Sequence, residues 1–109
     1  MDDKYTQLLL YLVGSFELAA MQSMGKIKNP LTDKLERDLE QAQFSIDVLD
    51  MLKQKTKGNL TTDETKFLDN VIGQLKLNYL DEVEKDKNQS EKDKNQSEKD
   101  KNQSETGQK

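Results

Sequence analysis

The chain of 109 residues contains no cysteine, no histidine and no tryptophan, and it has a single proline. Without cysteine it can form neither a disulfide nor a thiolate nucleophile, and it lacks the usual ligands of a zinc cluster. The missing histidine also removes the commonest general base. We therefore expect no catalytic residues, no metal site and no cofactor, and we expect that the protein is not an enzyme.

An excess of positive charge is also missing. The chain has 17 lysines and arginines against 21 aspartates and glutamates, which gives a formal charge of −4. The stretch from Glu84 onward holds seven acids and seven lysines, so the whole excess of negative charge lies before it. Because nucleic-acid binding needs a basic surface, we expect no nucleic-acid partner.

No apolar run is long enough to span a bilayer. The run over residues 8–24 is interrupted by Glu17 and is shorter than the roughly 20 residues that a spanning helix needs. The N-terminal sequence MDDK is acidic where a signal peptide would be basic, so we expect a cytoplasmic protein. Binding to a membrane surface through the same run is an alternative function, although the run has no basic face for anionic lipids.

Helical periodicity accounts for the apolar residues that are present. Helix one is predicted over about residues 3–24 and should end at Gly25, which can adopt the left-handed conformation. Helix two is predicted to begin at Thr32 or Asp33, either of which can cap it, and to run to about residue 56. Helix three is predicted over about residues 62–82. The apolar stripes of helices two and three are Leu35, Leu39, Ala42, Ile46 and Leu49, and Leu68, Val71, Ile72, Leu75 and Tyr79.

The predicted fold is therefore an all-α, three-helix antiparallel domain over residues 1–83, completed by oligomerisation. Residues 84–109 contain no apolar side chain and repeat EKDKNQS three times, at 84–90, 91–97 and 98–104. A coiled coil would need apolar residues at two positions of each repeat. With charges balanced and nothing to bury, residues 84–109 are predicted to be a disordered low-complexity tail.

A lysine-rich segment, KQKTKGNLTTDE over residues 53–64, separates helices two and three. A phosphate-binding loop would need glycine, lysine and serine or threonine in that order after a strand. A helical corner explains the residues better, with a left-handed glycine, a packed leucine and a capping box. The residues assigned to this structural corner are Gly58, Asn59, Leu60, Thr61 and Glu64.

The same region resembles a bacterial family known as domain of unknown function 1844. The resemblance covers roughly residues 29–80 and is strongest over KTKGNLT, residues 55–61. The family's pattern also fits Asn29 and Pro30 before the second helix. The matching positions in helices two and three are Asp38, Leu39, Ala42, Ile46, Asp47, Met51, Leu52, Glu64, Leu68 and Leu75. The resemblance implies no activity, because the family has none that could be transferred.

Two further patterns leave alternatives open. Asp47 and Asp50 share one side of helix two, where they could form an acid–base or metal-binding pair or simply a solvated polar face. The methionines Met21, Met24 and Met51 suit adaptable packing, and a peptide-binding groove is an alternative.

Helix one predicts self-association, because a helix that is apolar almost all round must be surrounded. Two companion helices of one short chain cannot cover it, and helix two adds apolar residues opposite its main stripe. We expect a homo-oligomer, most simply a two-fold homodimer, with a further unidentified protein partner as an option. The predicted interface residues are Leu8, Leu9, Leu10, Tyr11, Leu12, Val13, Phe16, Phe44, Val48 and Met51.

Overall fold

The computed structural model contains three helices: α1 (Lys4–Ser23), α2 (Leu39–Lys55) and α3 (Thr62–Gly107). It describes the backbone of residues 3–107 and the side chains of residues 3–90. Within that backbone no β-strand is formed, and an isolated bridge between Asn29 and Lys34 is its one β-type pairing. The all-α, three-helix prediction is confirmed.

The ends of α1 agree with the sequence prediction to within a residue. The Asp3 carboxylate accepts a hydrogen bond of 2.8 Å from the backbone N–H of Thr6, which caps the first turn. The same N–H lowers the pKa of Asp3. At the other end Gly25 has φ of +79°, the left-handed conformation that terminates a helix.

The start of α2 differs from the prediction. Helix two does not begin at Thr32 or Asp33, because Asp33 has a φ of +55° that ends any helical path there. The helix begins at Leu39, and the Asp38 carboxylate caps it by accepting a hydrogen bond of 3.1 Å from Gln41 N–H. Residues 25–38 therefore form a long connection, and Leu35, expected in the buried stripe, is 59% exposed.

The backbone N–H of Asp38 donates a hydrogen bond of 2.7 Å to the carbonyl of Ser23, so α2 starts beside the end of α1. The starts of α1 and α3 also lie together, because the Thr6 hydroxyl donates a hydrogen bond of 2.7 Å to the Glu64 carboxylate. The bundle therefore runs up, down and up, with α2 antiparallel to both other helices.

A single core fills the space between the three helices. Half-buried side chains, among them Phe16, Leu39, Leu60 and Tyr79, pack against it. Apart from Leu35, the predicted stripes of α2 and α3 thus lie in or against the core. The buried apolar residues are Val13, Ala20, Met24, Ala42, Ile46, Leu49, Leu68, Val71, Ile72 and Leu75.

The corner between α2 and α3 is built as the sequence predicts. Gly58 has φ of +84°, and Thr61 and Glu64 form a reciprocal capping box. The Glu64 carboxylate accepts a hydrogen bond of 2.8 Å from Thr61 N–H, and the Thr61 hydroxyl accepts one of 3.1 Å from Glu64 N–H. Leu60 is half-buried against the core, as expected, whereas Asn59 is exposed and its N–H donates to Thr56 O.

Replacing Gly58 by valine is expected to cost about 1 kcal/mol or more of unfolding free energy, because a β-branched residue is strained at positive φ. A Cβ at Gly58 would meet nothing within 4 Å, so the strain is conformational rather than a clash. Thr61→Ala should cost about 0.5–2 kcal/mol through the lost cap. Urea denaturation checks both values. The control is Gly73→Ala inside α3, which should keep or raise the unfolding free energy. Equal unfolding free energies for Gly58→Val, Thr61→Ala and Gly73→Ala would contradict the corner geometry.

The third helix continues past the predicted end at Glu82. Residues 84–90 are helical, and Lys85 forms ion pairs with Asp81 (3.3 Å) and Glu82 (2.9 Å), which support a helix locally. Arg37 also forms an ion pair of 2.7 Å with Asp86, which belongs to the first EKDKNQS repeat. The first repeat therefore contacts the helical domain. The disorder predicted from residue 84 onward is therefore wrong for residues 84–90. The backbone of α3 is described as far as Gly107, the side chains of residues 91–109 lie outside the described part, and disorder beyond residue 90 stays a prediction.

Candidate functional site

The predicted interface residues fall into three groups in the structure. Val13 is fully buried, and Leu9, Phe16 and Val48 are half-buried. The exposed members, with their exposed fractions, are Leu8 (53%), Leu10 (36%), Tyr11 (77%), Leu12 (43%), Phe44 (59%) and Met51 (49%).

Val13 lies in the core rather than at an outer surface. It shares the inner side of α1 with Ala20 and Met24, which are also fully buried. The spacing of these residues follows the helical period, so they mark the side on which α2 and α3 pack. Val13 therefore cannot contribute to an interface unless the bundle opens.

Leu10 lies on a different side of α1 from Leu8 and Leu12. Together with Thr6 it lines a cleft against Phe67 of α3. On α2, the side that faces α3 is marked by the ion pairs of Asp50 with Lys76 and of Lys53 with Asp69. The remaining exposed apolar residues of α1 and α2 lie away from α3.

These remaining residues form one surface, which we term the α1–α2 face. Because α1 and α2 are antiparallel neighbours, Leu8 and Leu12 lie opposite the second half of α2, where Val48 and Met51 project. None of the face residues is charged. The α1–α2 face comprises Leu8, Tyr11, Leu12 and Ser15 of α1 and Phe44, Val48 and Met51 of α2.

A second cluster, which sequence reasoning missed, surrounds a buried carboxylate near the start of the repeats. The Glu82 side chain is only 7% exposed, and it pairs with Lys26 at 2.7 Å, Lys85 at 2.9 Å and Arg37 at 3.2 Å. Arg37 also donates a hydrogen bond of 2.8 Å to the backbone carbonyl of Glu82. Lys26 and Arg37 belong to the α1–α2 connection, so this cluster fastens that connection to α3.

The cluster shifts the pKa values of Glu82, Asp81 and Lys26. Hydrogen bonding to Lys26 lowers the pKa of Glu82, and the same lysine lowers the pKa of Asp81. The two carboxylates in turn raise the pKa of Lys26. Glu82, Asp81 and Lys26 are thus held in their charged forms, which indicates a structural tie rather than a proton-transfer site.

Acid should destabilise the domain through this cluster. The pKa of Glu82 lies below its ordinary value of 4.5 in the folded chain, so the unfolded chain binds more protons. The stabilisation by the Glu82 carboxylate is complete when the pH lies above the ordinary pKa of a glutamate. It is lost as the pH falls through the lower pKa that Glu82 has in the folded chain. Urea midpoints at pH 7 and pH 3 should differ less in Glu82→Gln than in the wild type. Glu84→Gln, on the exposed neighbouring side chain, should keep the wild-type difference, and equal differences in all three proteins would contradict the role of Glu82.

Asp47 and Asp50, the candidate acid–base or metal-binding pair in α2, each make a separate local contact. Asp47 accepts a hydrogen bond of 2.8 Å from Gln43, and Asp50 forms an ion pair of 3.0 Å with Lys76. In the described part of the chain, no group of three or more histidine, cysteine, aspartate or glutamate residues could hold a metal ion.

One of the corner lysines, Lys53, likewise makes a structural contact. Lys53, one of the residues lining a cleft beside Gly58, forms an ion pair of 2.8 Å with Asp69 that raises the lysine pKa. Among residues 3–107, no helix combines the length and the apolar character that crossing a membrane would require.

Comparison with curated proteins and with solved structures finds no match. A family model, described as Domain of unknown function (DUF1844), matches residues 7–81. The match covers most of α1, the whole of α2, the corner, and α3 as far as Asp81. It confirms the resemblance seen in the sequence. Since the matched residues make up more than half of the 109, the chain belongs to the DUF1844 family of domains of unknown function.

Proposed function

We propose that the protein is a small interaction module that self-associates through the α1–α2 face, most simply as a homodimer. The α1–α2 face itself supports this proposal, because it gathers large apolar side chains on one side of two packed helices. The proposal includes action in the cytoplasm and action by binding rather than catalysis, in keeping with a sequence that has neither cysteine nor histidine.

The extent of the α1–α2 face fits an interface. Its exposed leucines, aromatic residues and methionine present roughly 600 Å² of mainly apolar surface, given areas of about 150–250 Å² for a large side chain. Apolar patches of that size on a monomer are often functional. A standard protein–protein interface covers about 800 Å² per partner, so the face and its rim are sufficient for one.

The charge distribution favours a second copy as the occupant. A two-fold axis places the same residues on both sides of an interface, so a charged face would meet its own charge. The seven residues of the α1–α2 face carry no charge, and the exposed charged residues Lys4 and Lys55 lie one turn beyond Leu8 and Met51, at the end of the face. Two copies can therefore meet at this face without like-charge repulsion.

The absence of cysteine allows a direct test by site-specific alkylation. Ser15 is exposed on the α1–α2 face, and Asn70 is exposed on α3 outside it. In a Ser15→Cys variant, the rate of alkylation should fall as the protein concentration rises, because association covers the thiol. In Asn70→Cys the rate should be independent of concentration. A Ser15→Cys rate that stays constant up to high micromolar concentration would contradict the proposal.

The alternative function, binding to a membrane surface, makes a different prediction. If α1 inserted into lipid, the protein would co-sediment with phosphatidylserine-containing vesicles, and its alkylation at Ser15→Cys would slow on adding them. Our proposal predicts that the protein stays in the supernatant, since Lys4 and Lys55 at one end of the α1–α2 face do not form the extended basic side that anionic lipids attract.

A further inference from the structure

The parallel pair of helices, α1 and α3, leaves a groove between them. One cleft of about 410 Å³ lies at the start of both helices and is lined by Leu10 and Phe67 among others. A second cleft, of about 340 Å³, lies further along and is lined by residues that include Leu18 and Met21. Leu10 and Leu18 are about two turns apart on the same side of α1. The α1–α3 groove comprises both clefts, and the residues that line it include Leu10, Leu18, Met21, Phe67, Gln74 and Asn78.

Gly14 lies midway between the two clefts, one turn from Leu10 and one turn from Leu18. Gly14 leaves this side of α1 without a side chain. A Cβ at Gly14 would meet nothing within 4 Å, so no other described part of the chain occupies the space above it. The open space above Gly14 would let another helix approach α1 closely.

The groove is also acidic. Glu17 lines the second cleft, and Asp63 and Glu64 line the first, whereas no lysine or arginine is among the residues that line either. Glu17 is half-buried and makes no hydrogen bond or ion pair with any residue that the structure describes. A carboxylate held beside Leu18 and Met21 without a cation is a favourable position for a lysine or arginine from a ligand.

We propose that the α1–α3 groove binds a basic amphipathic helix of a partner protein, which lies antiparallel to α1 and α3 and completes a four-helix bundle. Two large apolar side chains of this helix, two turns apart, occupy the two clefts, and its backbone passes over Gly14. Lysine or arginine residues on its flanks meet Glu17, and those in its last turn meet Asp63 and Glu64. The repeats from Glu84 onward cannot be the occupant, because they contain no apolar side chain.

This groove is separate from the α1–α2 face. Gly14 and Leu10 lie on the side of α1 that is turned toward α3, and Leu12 lies on the side turned toward α2. A partner helix in the groove therefore leaves self-association possible, and either proposal can fail without the other.

Titration calorimetry with a synthetic helical peptide tests the proposal. The peptide carries leucines two turns apart on one face, alanines between them and lysines on the flanks and in the last turn. The wild-type chain should bind it, and an otherwise identical peptide with glutamate in place of lysine should bind at least tenfold more weakly. Gly14→Leu should weaken binding of the lysine peptide at least tenfold while the melting temperature is kept or raised, because leucine favours the helix and fills the groove.

Gly73→Leu is the matched control, since a Cβ at this exposed glycine of α3 also meets nothing within 4 Å and it lies outside the groove. This variant should bind as the wild type does. Glu17→Lys supplies a second variant whose fold should be unaffected, and it should reduce the preference for the lysine peptide over the glutamate peptide. NMR shift changes should map to Leu10, Gly14 and Phe67. Equal binding by Gly14→Leu and the wild type, no binding by the wild type, or shifts centred on the α1–α2 face would overturn the proposal.

Discussion

Replacing Leu75 by alanine is expected to lower the free energy of unfolding by about 2–5 kcal/mol, the range for large-to-small changes in a packed core. Leu75 is 1% exposed and belongs to the cluster in which all three helices meet. The change removes buried apolar surface and leaves a cavity that the surrounding helices can close only in part. Because a small domain has a total stability of about 5–15 kcal/mol, the variant should unfold at markedly lower urea concentration.

Leu77→Ala provides the matched control for this prediction. Leu77 is the same residue type on the same helix, but it is 66% exposed. Its replacement should change stability by no more than about 0.5 kcal/mol, as is usual for surface positions. Similar losses in Leu75→Ala and Leu77→Ala would show that the helical phase of α3 is not the one described.

Introducing glutamate at Leu12 and Phe44 together should convert the protein to folded monomers. Both side chains are about half exposed in the single chain, at 43% and 59%, so neither supports the core in full. In a dimer that uses the α1–α2 face, each copy would bury two unpaired carboxylates against two others, which opposes association strongly. We expect at least a hundredfold weaker self-association, equivalent to about 2.8 kcal/mol.

The control for the double variant is Leu77→Glu, which adds a carboxylate at a leucine that is 66% exposed and lies away from the α1–α2 face. It should associate as the wild type does. Circular dichroism should show the same helix content in all three proteins. If the double variant associated as tightly as the wild type while staying folded, the assignment of the α1–α2 face would be contradicted.

The corner between α2 and α3 could be predicted from the sequence because its chemistry is local. The left-handed glycine, Gly58, and the capping pair, Thr61 and Glu64, all lie within one short segment. Their hydrogen bonds depend on the backbone of that segment alone. What the sequence could not indicate is the contact of Glu64 with Thr6, which requires α1 to be in place.

The start of α2 could not be predicted because three residues compete for the cap. Thr32, Asp33 and Asp38 are all suitable cap residues by type. The choice of Asp38 is accompanied by a long-range contact, the hydrogen bond from its N–H to Ser23 at the end of α1. Arg37 immediately before it is held by Glu82 of α3. Local propensity carries no information about either contact.

The candidate surfaces could be predicted only in part, because α1 is apolar on almost every side. A helical period shows which residues share a side, but it does not show which side faces inward. The sequence thus identified Leu8, Leu12 and Phe44 as candidates, and it also included Val13, which packing places in the core. Glu82 escaped notice because its cations, Lys26 and Arg37, come from a distant connection.

Sedimentation equilibrium of the wild-type chain, from low to high micromolar concentration, tests self-association through the α1–α2 face most directly. We predict that the apparent mass rises with concentration toward twice the 12.6 kDa of one chain. The variant with glutamate at Leu12 and Phe44 should remain at the mass of one chain over the same range. A wild-type protein that is well folded and keeps the single-chain mass at high micromolar concentration would contradict the account.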